Sequence, residues 1–237
     1  MASLLALLRR EEKGDASPTA AYVLLAALAT VSGTGTTFVD EGLVERLAET
    51  LQQVGRRPVQ QLVLAATALA NLTSYVPSPV AAKMVQGNAS AVKSLLNLLA
   101  ESILQEEVAR TEQSSAQGKR RGRGKGSKKD TMDTSGAIKF GQWAAASLCN
   151  LSQQGREAAR AIAAADGVNA IVSALERGQK LQQQQQQQQG GDVLRLLLLG
   201  CLCNLAKHAP ASVCSTGSDL NLLDKDQLRC CLSRASL

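Results

Sequence analysis

Aromatic side chains make up only 2% of this sequence, histidine occurs once, and none of the six cysteines has the spacing of a zinc ligand pair. Each scarcity removes a class of function. A platform that stacks unpaired bases needs a ring for every base, and two Phe, two Tyr and one Trp do not supply them. There is no Cys-x-x-Cys, His208 has no second imidazole to join it, and Cys201 and Cys203, two apart on a helix, point to different faces. A structural zinc site and the disulfide framework of a small secreted domain therefore both fail to fit. The sequence also lacks a phosphate-binding loop, a nucleophile elbow, a metal-binding His/Glu pair and clustered carboxylates. No catalytic residue, metal or cofactor is expected.

Long apolar runs are missing as well. The longest, Ala20 to Val31 and Leu196 to Leu205, fall short of the roughly 18 uninterrupted residues of a bilayer span. Near the N-terminus, Leu4, Leu5, Leu7 and Leu8 precede Arg9 and Arg10, which reverses the order of a secretory signal. The expectation is an intracellular, cytoplasmic protein without a membrane span, with nuclear entry left open by a basic cluster. On that expectation the Asn-x-Ser/Thr triplets at Asn71, Asn88 and Asn150 are not glycosylated.

Charge is confined to one place. The formal net charge is +6, and the cations Lys119, Arg120, Arg121, Arg123, Lys125, Lys128 and Lys129, against the single anion Asp130, account for all of it. The basic character thus belongs to one Gly-, Ser- and Lys-rich insertion and not to a folded surface.

What the chain does have is a repeat. Ala145-Ala146-Ser147-Leu148-Cys149-Asn150-Leu151-Ser152 recurs as Ala66-Thr67-Ala68-Leu69-Ala70-Asn71-Leu72-Thr73, as Leu199-Gly200-Cys201-Leu202-Cys203-Asn204-Leu205-Ala206, and more loosely as Leu25-Ala26-Ala27-Leu28-Ala29-Thr30-Val31-Ser32. Cys149 and Cys203 share one position of it, as small core residues in a reducing compartment do. Leu28 and Leu69 are 41 residues apart, within the roughly 40–47 of two- and three-helix repeats. The next intervals, 79 and 54 residues, exceed the first by 38 and 13. The basic insertion and the glutamine run 182–189 supply those excesses. Each copy ends an apolar run of helical spacing whose small residues require close packing against a neighbour.

At these residues the sequence resembles the armadillo-repeat family, with features of both beta-catenin-like and importin-alpha-like repeats. After each Leu-x-Asn-Leu block comes a short helical piece ending near glycine, then an apolar-patterned helix, as in Val39-Asp40-Glu41-Gly42 before Leu43, Met84-Val85-Gln86-Gly87 before Val92, and Ala165-Asp166-Gly167 before Ile171. The resemblance implies an all-α, right-handed helical solenoid of about four units, the terminal ones incomplete, forming a single elongated domain over 1–237. Its parts are a partial unit 1–33, a second unit 34–76, and a third unit 77–152 with a disordered basic insertion 111–135. A fourth unit 153–208 with the polyglutamine insertion follows, then a partial unit 209–237. A stack beginning and ending mid-unit is expected to belong to a larger array or to be capped by a partner.

The family implies a non-catalytic interaction scaffold. Its long third helices line a concave groove, and the asparagine of the block bonds the backbone of an extended peptide. Carried over, that points to Asn71, Asn150 and Asn204; an amide suits the task because it has both donor and acceptor. The same amides also suit bonding between adjacent units. At about 100° per residue, positions seven before and four after each Asn share its face. Those are Leu64 and Tyr75, Trp143 and Gln154, and Leu197 and His208, with Trp143 equally readable as core. Importin-alpha-type carriers have Trp four residues before the Asn, where this chain has Thr67, Ala146 and Gly200, and they have acidic residues beyond it that are missing here. A protein or peptide ligand of apolar or mixed character is therefore expected. The alternatives are an importin-like nuclear transport adaptor, and a binder of nucleic acid or an acidic partner through the basic insertion.

Overall fold

The computed structural model describes residues 42–75, 77–86, 90–118, 134–183 and 191–216, together with the single residues 23, 27, 37, 39 and 40. Among these residues every regular element is a helix and no strand occurs. In order they are α1 Leu43–Gln52, α2 Val59–Tyr75, α3 Pro77–Gln86, α4 Ser90–Gly118, α5 Thr134–Ser152, α6 Arg156–Ala164, α7 Gly167–Gln183, α8 Gly191–His208 and α9 Pro210–Thr216.

Local sequence explains most of these elements. In α1, Leu43, Val44, Leu47, Ala48 and Leu51 are buried while Glu45 and Glu49 face water, an apolar stripe at helical spacing. Each leucine so buried stabilises the fold by about 1.5–3 kcal/mol. In α2 the buried set runs round the helix: Leu62, Leu69 and Leu72 alternate with Ala65, Ala66, Ala68 and Ala70. The small residues let α1, α3 and α5 all approach it. The turn from α5 to α6 passes through Gly155 at φ 108, ψ −167, a region that only glycine occupies without strain.

Packing follows a period of three helices. Among the long helices α2 packs on α5 and α5 on α8; among the middle ones α1 packs on α4 and α4 on α7; of the short ones α3 packs on α6. From α1 to α5, each helix thus meets its own counterpart three elements later, besides its chain neighbours. The result is one continuous apolar core from Val39 to Val213, including Phe140 and Ile171. Where α4 crosses α5, Gly141 leaves room for the Ser102 side chain, and a β-carbon at position 141 would collide with it.

Two sequence expectations change. The region 111–135 is not irregular throughout, because α4 continues to Gly118 and α5 starts at Thr134. From Glu101 to Gln117 there is neither Gly nor Pro, and its Glu, Gln, Ala and Arg residues are good helix formers. Two i→i+4 bonds support the extension, from Gln105 Nε2 to Glu101 Oε1 and from Thr111 Oγ1 to the Glu107 carbonyl. The glutamine run likewise begins inside a helix, since α7 extends through Gln183.

Several sequence readings concern residues outside those described: Lys119, Arg120, Arg121, Arg123, Lys125, Lys128 and Lys129, glutamines 184–189, and most of 1–33 and 217–237. No single helix among the described residues is long and apolar enough to cross a membrane. The bent pair α6 and α7 has the composition but turns by 72° at its break, and its Ala159, Ile162 and Ile171 are buried in the core.

Candidate functional site

The three long helices α2, α5 and α8 carry Asn71, Asn150 and Asn204 at one level, and the seams between them are cross-bonded there. Asn150 Nδ2 donates to the Ala70 carbonyl at 3.3 Å and to Thr73 Oγ1 at 3.4 Å. One seam further on, Asn204 Nδ2 donates to Ser152 Oγ at 3.0 Å. Thr73 stands two residues after Asn71 and Ser152 two after Asn150, so the same bond is made twice, from one long helix back to the one before. Asn71 is half-buried and also has a partner.

The two hydroxyls are fully engaged. Thr73 Oγ1 donates to the Ala70 carbonyl at 2.9 Å, and Ser152 Oγ donates to the Cys149 carbonyl at 2.7 Å. Both residues are buried. Of the other expected groove residues, Gln154 Nε2 donates to the Asn150 carbonyl at 3.2 Å and closes the last turn of α5. Tyr75 is 60% exposed and Trp143 is 36% exposed. Trp143 is therefore a surface ring and not a core residue, whereas Phe140, one turn earlier, is completely buried. His208 is half-buried at the C-terminus of α8. Tyr75, Trp143 and His208 take no part in the bonds between helices.

Thr73 and Ser152 were missed as members of the site, although the sequence held the signal. Two of the blocks end Leu-hydroxyl: Leu72-Thr73 and Leu151-Ser152. The third block ends Leu205-Ala206, so it offers no hydroxyl to a further helix. Leu196, 68% exposed on α8, was also not anticipated; it stands one residue before Leu197, the position aligned with Trp143.

Two thiols lie in the α5–α8 seam. Burial pushes the Cys201 thiol up to about 12, opposed by its hydrogen bond with Ser152 and assisted by the nearby Cys149. Burial also pushes the Cys149 thiol up, against a hydrogen bond from Gln153. Both remain protonated at neutral pH, so neither is a ready nucleophile. Gly200 permits this packing, because a β-carbon there would stand 3.3 Å from Cys149 Sγ. Cys203 departs from the expected free core thiol: it is half-buried and disulfide-bonded. It lies two residues from Cys201 and so faces another side of α8, away from the seam. No group of three or more His, Cys, Asp or Glu side chains converges among the described residues.

No protein-family model, no curated protein and no solved structure matches the chain.

Proposed function

We propose that this chain is an armadillo-type, right-handed helical solenoid acting as a non-catalytic scaffold. On this reading it binds an extended peptide, or an extended segment of a partner protein, along the stripe formed by its long helices. The packing of each of α1 to α5 on its counterpart three elements later supports the solenoid, because a stack of three-helix units produces that pattern. The observation that carries the binding role is the twice-repeated bond from Asn150 and Asn204 to the preceding long helix. It aligns amides of one type across consecutive helices. Tyr75, four residues after Asn71, and Trp143, seven before Asn150, fall within about 40° of that stripe. Exposed aromatic rings beside a row of amides suit a peptide whose side chains anchor on the rings while its backbone bonds to the row.

The test is selection of peptides on the purified chain from a random display library, followed by titration of a selected peptide against the fluorescence of Trp143. Binding weakened by Tyr75→Ala and by Asn150→Ala, and nearly independent of salt, is the expected result. If selection yields no peptide above background, or the selected peptides bind those variants as tightly as the parent, the reading fails. A steep salt dependence with anionic ligands instead points to the basic insertion.

A further inference from the structure

We infer that Thr73 and Ser152 are positioning residues, which fix the orientation of the Asn150 and Asn204 amides so that each turns its NH2 to the seam and its oxygen outward. The argument begins with a proton count. A hydroxyl has one proton, and both of these are already given to carbonyls of their own helices, Thr73 to Ala70 at 2.9 Å and Ser152 to Cys149 at 2.7 Å. Toward the next helix each hydroxyl oxygen can then only accept. The facing amide must accordingly turn its NH2 inward, as Asn150 does at 3.4 Å and Asn204 at 3.0 Å. In the first case the Ala70 carbonyl, also an acceptor, enforces the same choice at 3.3 Å. Carbonyl, hydroxyl and amide thus form a relay of fixed direction.

The other end of each amide follows. No described group donates to Oδ1 of Asn150 or Asn204, and the buried side-chain polar atom without a partner among the described residues is Gln105 Oε1, not either of these. Both oxygens therefore reach solvent from half-buried residues. A free amide would offer a peptide two donor protons and an acceptor oxygen; here both NH2 protons of Asn150 and one of those of Asn204 are spent on the seam. On the peptide-binding reading proposed above, the outward oxygens of Asn150 and Asn204 recognise backbone N–H groups of the peptide.

The relay is tested without a ligand, so its failure is distinguishable from failure of that reading. Side-chain amide resonances of Asn150 and Asn204 are followed by NMR in the parent chain, in Thr73→Val, in Thr73→Ser and in Ser152→Ala. In Thr73→Val the exchange of the Asn150 NH2 protons with water is expected to rise about two- to tenfold, the equivalent of one hydrogen bond. Asn204 is unchanged in that variant, and Thr73→Ser restores the parental rate. Ser152→Ala shows the reverse pattern. Thr73→Ser also guards against general loosening, since it removes a methyl and keeps the hydroxyl. Unchanged Asn150 exchange in Thr73→Val, or equal acceleration at both asparagines in either variant, overturns the assignment.

Discussion

The backbone of Gly141 in α5 runs so close to Ser102 in α4 that a β-carbon at position 141 would stand 2.8 Å from the Ser102 Cβ. That is well inside van der Waals contact, and the atom in the way is held on a helix, so neither side can yield cheaply. The closeness explains why a residue of poor helix propensity sits within a packed helix: the helix crossing requires the missing side chain.

Gly141→Ala is expected to destabilise the chain by about 1–3 kcal/mol, the usual result of overpacking a tight contact. Gly178, in α7, has open space around its Cβ position, so Gly178→Ala should stabilise by about 0.5–1 kcal/mol through helix propensity alone. Urea denaturation of the two variants measures the contrast. Equal effects of the two substitutions would show that α4 and α5 do not meet as described.

At Gly155 the limitation is conformational, not spatial. Nothing lies within 4 Å of a β-carbon there, yet φ is 108, so Gly155→Ala should still cost about 1–3 kcal/mol. Thermal unfolding followed by circular dichroism reads the loss. An Ala variant as stable as the parent would mean that the turn between α5 and α6 has another conformation.

Phe140 and Trp143 lie three residues apart on α5 with opposite surroundings, 0% and 36% exposed. Phe140→Ala should cost about 3–5 kcal/mol. Trp143→Ala should cost much less, and its expected effect is on peptide binding. As the only tryptophan, Trp143 should be partly quenched by acrylamide in the folded chain and shielded when a peptide is bound. Full protection in the unliganded chain would return Trp143 to the core.

Cys201 makes stability depend on alkaline pH. Its thiol is held at about 12 in the folded chain against an ordinary value of 9.0. Below pH 9 both states are protonated and nothing is lost; as pH rises from about 9 towards 12 only the unfolded chain ionises, and stability falls. Cys201→Ala should flatten that alkaline limb in a urea series. Native Cys201 should also resist alkylation at pH 8 until the chain unfolds.

The sequence's power ran along single helices. Apolar spacing in Leu43, Val44, Leu47, Ala48 and Leu51 predicts which face of α1 is buried, because that face depends only on neighbours along one helix. The exposure of Trp143 was left open for the opposite reason: a ring at a stripe position is buried or not according to what the adjacent helices place over it. The run from Thr111 to Gly118 was misjudged through composition, since polar residues without a core contact resemble an irregular segment although their backbone propensities favour helix.

The all-helical class and the close packing of the repeated blocks were set by the sequence itself, through periodic apolar residues and alanines that leave no room for any side chain but a neighbour's. Which helices become neighbours was decided only in three dimensions, where α2, α5 and α8 come together across insertions of unequal length. The same holds for the asparagines. An isolated amide offers donor and acceptor alike, and the orientation of Asn150 is chosen by a hydroxyl 77 residues away, because the proton of that hydroxyl is already committed within its own helix.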